Sequence, residues 1–126
     1  MKFPENLKYT KEHEWIKVEG NVAILGVSDH AQSELGDVVY VDIDEDLEEV
    51  EAGSDFGTIE AVKTVADLYS PVDGKVKEIN SAINDNPETI NSDPYGDGWL
   101  IKIEMSDSSQ LDSLMDTDTY KDFVGQ

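Results

Sequence analysis

The feature that most limits the fold of this chain is the shortness of its β-prone runs and the frequency of turn residues between them. Glu14 to Val18 (EWIKV), Val22 to Val27 (VAILGV), Val38 to Ile43 (VVYVDI), Phe56 to Val62, Val65 to Tyr69 and Lys75 to Ile79 (KVKEI) are rich in β-branched and aromatic residues. Glu19-Gly20-Asn21, Asp73-Gly74 and the stretch SDPYGDG at 92–98 are built from turn residues. Many short strands with Gly/Pro-rich turns predict a small sandwich or flattened barrel.

The first two runs read as a hairpin about Glu19–Asn21. Ser28 is placed to cap a short helix, DHAQSEL, which Gly36 would end. Asp44 to Glu51 reads as an acidic loop whose apolar residues are Leu47 and Val50. The run from Val65 ends at Ser70-Pro71, because proline cannot donate the ladder bond of a central strand. Asn86-Pro87 predicts a cap followed by proline at the first position of a single turn, PETIN. In WLIKIE, Trp99, Ile101 and Ile103 alternate with Leu100, Lys102 and Glu104, the pattern of a strand. Leu111, Leu114 and Met115, then Tyr120, Phe123 and Val124, recur at helical spacing. They predict a helical segment over about 106–126, packed on the β-structure. The expectation is one domain over 1–126, mainly β, with short helices and a C-terminal helix.

Charge narrows the partners. The chain has 9 Lys+Arg, all of them lysine, against 29 Asp+Glu, a formal net charge of -20. Without arginine and without a basic footprint, nucleic-acid binding is excluded, and an anionic membrane surface is disfavoured. Proteins with basic faces, met through electrostatic steering, are the expected partners. There are 0 cysteines, so a disulfide, a zinc-thiolate site and a cysteine nucleophile are all impossible. Any sulfur chemistry would have to come from a cofactor. The opening segment, MKFPENLKYTKEHEW, has neither the apolar run of a secretory signal nor the arginines of a transit peptide. A cytoplasmic location, bacterial or archaeal, is expected over the mitochondrial matrix.

Several motifs fail on their own chemistry. GVSDH has His30 where a nucleophile elbow needs glycine. His13 and His30 lack partners at metal spacing and read as surface residues. Asp42, Asp44 and Asp46 begin like a calcium loop, but Leu47 and Gly53 occupy the positions of the required Gly and Glu. Asp112-Ser113-Leu114 matches the attachment tripeptide of acyl carrier proteins, yet it lies behind a strand-rich body rather than within a helical one.

Lys63 is different. It sits with Thr64 between two β-prone runs, beside the apolar Val62 and Val65, and its closest carboxylate in sequence is Glu60. A lysine at a hairpin tip, beyond the sheet and free of packing, suits covalent attachment of a mobile arm. The plainer alternative is a solubilising turn lysine.

The segment Glu60-Ala61-Val62-Lys63, followed by Ala66-Asp67-Leu68-Tyr69-Ser70-Pro71, resembles the lipoyl-attachment site of the glycine cleavage system H protein family. So do His13-Glu14-Trp15, SELGDVVYV at 33–41 and PETINSDPYGDGWLIKIE at 87–104. A biotin carrier would have methionine on both sides of the lysine, where Val62 and Thr64 stand. Lipoyl domains of 2-oxo acid dehydrogenases usually have Asp where Val62 is, and the family often has Ser where Ala61 is.

The resemblance implies the biotinyl/lipoyl hammerhead, a flattened β-barrel or sandwich of two sheets, with lipoate in amide linkage to Lys63. It implies that lipoylating enzymes recognise Glu60 and Gly74; the Asp73-Gly74 turn is also expected to need positive φ. It places Glu14 and Asp67 as acids lining a cleft for the arm, ordinary solvated strand residues being the plainer alternative; apolar walls for such a cleft are expected from Ile24 to Val27 and Leu35. The implied role is a monomeric carrier, not an enzyme. It would take an aminomethyl group from glycine decarboxylase (the P protein) to aminomethyltransferase (the T protein), and be reoxidised by dihydrolipoamide dehydrogenase (the L protein). Another lipoyl carrier or a lipoyl-relay protein, and then an acyl carrier protein, are the alternatives.

Overall fold

The computed structural model describes residues 2–125. In chain order the strands are β1 (Lys8–Tyr9), β2 (Glu14–Glu19), β3 (Val22–Val27), β4 (Val38–Ile43), β5 (Glu49–Val50), β6 (Asp55–Ala61), β7 (Val65–Tyr69), β8 (Gly74–Ile79) and β9 (Ile101–Met105). The helices are α1 (Asp29–Leu35), α2 (Ala82–Asp85), α3 (Thr89–Ser92) and α4 (Thr117–Val124), with a 3-10 helix at Ser108–Ser113. Six strands form one sheet in the order β1-β2-β3-β9-β8-β5, and β4-β6-β7 form the second. The strand pairs are antiparallel.

The two sheets pack face to face as a flattened sandwich, not a closed barrel. Ile16, Leu25, Ile101 and Ile103 from the large sheet meet Val41, Ile59 and Leu68 from the small one in a single core. The large sheet is apolar on its other face too. There Trp15, Ile24 and Tyr9 form a second cluster, closed by Tyr120 of α4. Tyr9 and Tyr120 stack with ring centres 4.4 Å apart. Burial on both faces explains why EWIKV alternates poorly: Trp15 and Ile16 point to opposite faces, and both are buried. Trp15 is fixed further by its indole N–H, which donates to Pro94 O at 2.9 Å.

Several expectations need correction. The acidic loop is not all loop, since Glu49–Val50 pairs with β8 through Lys75 and Gly74. Asn86 ends α2 and the next helix starts at Thr89 with Glu88 at its cap, so the helix begins two residues after Pro87. The alternation in WLIKIE breaks at its start. Leu100 is fully buried, Trp99 lies outside the strand under the Lys102 ammonium, and regular alternation begins at Ile101. Met115 is not helical; it exchanges backbone hydrogen bonds with Tyr9. Tyr120 is buried as expected, but Phe123 is half exposed.

Candidate functional site

The turn between β6 and β7 carries Lys63. The Ala61 N–H donates to Thr64 O at 2.9 Å, which closes the turn. The Val62 N–H donates to Asp37 O at 3.0 Å, which ties the tip to the segment after α1. Neither Val62 nor Lys63 needs a left-handed backbone. Val62 and Val65 are exposed on either side, at 71% and 61%.

Lys63 is exposed, but its stem is not free of packing as expected. A Cβ on Gly36 would lie 3.3 Å from Lys63 Cδ and Cε, so the aliphatic stem rests over Gly36. Gly36 ends α1 with φ 78, and its carbonyl accepts from Asn91 Nδ2 at 2.9 Å. Asn91 Oδ1 also accepts from the Val38 N–H at 2.8 Å. One buried-side amide on α3 therefore fixes the platform on which the lysine lies, a contact invisible in sequence because the partners are 53 and 55 residues apart.

Leu35, the residue before Gly36, lines a cavity of about 140 Å³ between β7 and the turn that precedes β2. Val27, Ala31, Ile59, Ala66 and Leu68 complete its apolar wall, and Glu14 and Asp67 line it together with His13, Glu12 and Glu34. Of the expected apolar wall, Val27 and Leu35 are there. Ile24 and Leu25 instead belong to the two cores, and Gly26 faces the Trp15 ring.

The two acids differ in setting. Glu14 is 2% exposed. Its Oε2 accepts from the Tyr69 N–H at 2.7 Å, and Thr10 Oγ1 approaches Oε1 at 3.4 Å. Desolvation pushes its carboxyl up to about 8, against the pull of the Tyr69 bond. Asp67 is exposed, with the Tyr69 hydroxyl 3.4 Å from Oδ2. The geometry thus puts one buried, neutral-leaning carboxyl, that of Glu14, on a small, mostly apolar cavity whose lining also includes the exposed acids Asp67, Glu12 and Glu34. Such a cavity can hold a short apolar chain ending in an amine. A cation entering it would draw Glu14 back to the ionised form.

Glu60 and Gly74 lie apart from this cavity. Glu60 is exposed on the outer face of the small sheet, between Tyr40 and Val65. Gly74 opens β8, and the expected positive φ is not found there. The reason for glycine is close backbone approach instead. A Cβ would run into Glu104 O and lie 2.6 Å from Ile103 Cγ2, because Gly74 pairs with both Val50 and Met105.

His13 and His30 are not plain surface residues. Both are half-buried, with ring centres 4.8 Å apart, and His13 is the one non-glycine residue with positive φ (67) among the described residues. The lone-histidine signal could not reveal this. The triplet His13-Glu14-Trp15 was the available pointer.

Two packed sheets of this kind, with a lysine at the turn of the smaller one, define a β-sandwich protein of the biotinyl/lipoyl hammerhead type. A family model described as Glycine cleavage H-protein matches residues 7–126, and the chain belongs to that family. It is 55% identical over 124 residues to the glycine cleavage system H protein of Bacteroides fragilis, and 54% identical over 124 residues to that of Bacteroides thetaiotaomicron. Both alignments cover 98% of this chain and 98% of the relative. A crystal structure of a glycine cleavage system H protein from Mycobacterium marinum superposes with a TM-score of 0.88 at 36% identity, covering 98% of this chain and 99% of the other.

Proposed function

We propose that this chain is the lipoyl-bearing carrier of a glycine cleavage system, with Lys63 as its attachment site. The observation that carries the reading is the pairing of an exposed hairpin-tip amine with a small, mostly apolar cavity reached across Gly36 and Leu35. Lipoate in amide linkage to Lys63 would supply the disulfide and dithiol on which aminomethyl transfer depends. The chain's own residues do the rest. The turn closed by Ala61 and Thr64 carries the lysine, whose stem lies over Gly36. Val27, Leu35 and Leu68 exclude water, which guards a labile cargo between enzymes. Glu14 and Asp67 face the cavity to hold a cationic amine.

The carrier meets the P protein, the T protein and the L protein in turn and catalyses no step itself. Glu60 and Gly74 guide the lipoylating enzymes, Glu60 as an exposed contact and Gly74 through the local backbone path. With a net charge of -20, basic faces on these partners would be drawn to it. A cytoplasmic location fits the partner set; among the described residues no helix is long and apolar enough to cross a membrane.

The test is enzymatic lipoylation followed by intact mass, then glycine–bicarbonate exchange with a P protein. One lipoyl group on Lys63 with exchange supports the proposal. Lipoylation without exchange would instead assign a lipoyl-relay role, and no lipoylation would refute both.

A further inference from the structure

Beside the cavity, three groups from distant parts of the chain form a single hydrogen-bonded line. Ser28 Oγ accepts from the Ala31 N–H at 3.1 Å as the cap of α1. Ser28 Oγ lies 2.7 Å from the Tyr120 hydroxyl, and that hydroxyl lies 2.9 Å from His13 Nδ1. Ser28 and Tyr120 are both fully buried.

Burial gives the line a direction. The Ser28 proton needs an acceptor, and among the described residues the Tyr120 oxygen is the one in reach. Tyr120 must then donate onward, and His13 Nδ1 is its acceptor. Every hydroxyl then both donates and accepts. Reversing the line would leave the Ser28 proton buried without a partner, a costly arrangement. A line running in this direction requires a neutral His13 with its proton on Nε2.

Resting on the reading of the cavity as the place where an amine cargo is held, we propose that Tyr120 is a positioning residue. Through the Ser28–Tyr120–His13 line it keeps His13 as a neutral Nε2–H imidazole at the cavity wall. His13 then sets no positive charge of its own against the cargo beside Glu14. The α4 helix, 107 residues from His13 in sequence, thereby becomes part of the holding device.

The surroundings of His13 are mixed. Its own turn contributes Glu12 and Glu14, α1 contributes His30 and Glu34, β7 contributes Asp67, and α4 contributes the uncharged Tyr120 and Phe123. Burial and His30 lower the imidazole below its ordinary value, while Glu12 and Glu34 oppose this. The net direction agrees with a ring held neutral. Protonating it would set a positive charge next to Glu14 and against a cationic amine. Acidification through the His13 titration should then release the cargo.

Two measurements on the full chain test this. In the unlipoylated protein, imidazole nitrogen NMR at neutral pH should show His13 in the Nε2–H form, and Tyr120→Phe should mix the two tautomers. A cationic or Nδ1–H His13 in the wild type would overturn the proposal, as would an unchanged tautomer in Tyr120→Phe. In the methylamine-loaded protein, the adduct half-life should shorten by about tenfold as His13 titrates, the expected scale for one like charge nearby at an effective protein dielectric. His13→Asn tolerates the positive φ and offers Tyr120 an acceptor, but it cannot titrate. It should lack the acid step, and an equal step in that variant would also overturn the proposal. Failure of the cavity reading is distinguishable, since Glu14→Ala and Asp67→Ala would then leave the half-life unchanged at every pH.

Discussion

Glu14→Gln should remove a pH dependence of stability that the wild type carries in one buried carboxyl. Burial raises the Glu14 carboxyl from 4.5 to about 8. The folded state therefore binds this proton more tightly than the unfolded chain does. The resulting stability is fully present below 4.5 and is lost as pH rises through 8. A shift of that size corresponds to at most about 5 kcal/mol. Glutamine keeps the acceptor for the Tyr69 N–H and can donate to Thr10 Oγ1, so it preserves the local bonding of Glu14 without the charge. Urea unfolding of both proteins from pH 5 to 9 isolates the effect, because the other acidic residues are common to both and cancel in the difference. The variant should gain on the wild type as pH rises, by several kcal/mol across the range. A gap that stays constant to within about 0.5 kcal/mol would refute the reasoning, since that is the scale of an exposed substitution.

Lys63→Arg should change stability by less than about 0.5 kcal/mol, because the side chain is exposed, and should accept no lipoyl group by intact mass. Gly74→Ala should cost about 2 kcal/mol or more in urea unfolding, since its Cβ meets the Glu104 carbonyl across the sheet. Glu60→Ala should leave stability unchanged and slow lipoylation, so the two recognition candidates separate by assay. Removing Asp67 or Glu14 as alanine should shorten the half-life of the methylamine-loaded protein by about tenfold at neutral pH, the equivalent of one sheltered charge-assisted bond. Association with the P or T protein should slow as salt rises, because a -20 chain relies on steering that is screened beyond a Debye length of about 8 Å; a flat association rate in stopped flow would remove that account.

The class of fold and the strand-turn-strand that carries Lys63 were legible in the sequence because both depend on local patterns. Short β-branched runs, the Lys63-Thr64 interruption and the cap at Ser28 act over a few residues, and the structure places a strand pair, a tip and a helix start at those positions. The motifs shared with the family pointed to Glu14 and Asp67, but not to the state of either. Only tertiary packing decided that Glu14 is buried under the Tyr69 N–H while Asp67 stays open. The same holds for Gly74, whose turn-like dipeptide suggests a left-handed backbone while the paired strands demand only the absence of a Cβ. It holds again for Met115 and Trp99, where helical or strand spacing gave way to pairing with Tyr9 and to the break before Ile101. A local pattern states what a segment prefers next to its neighbours. Burial, a carboxyl's ionisation and a proton's direction along Ser28, Tyr120 and His13 depend on groups tens of residues away. They exist only once the two sheets and α4 have closed on one another.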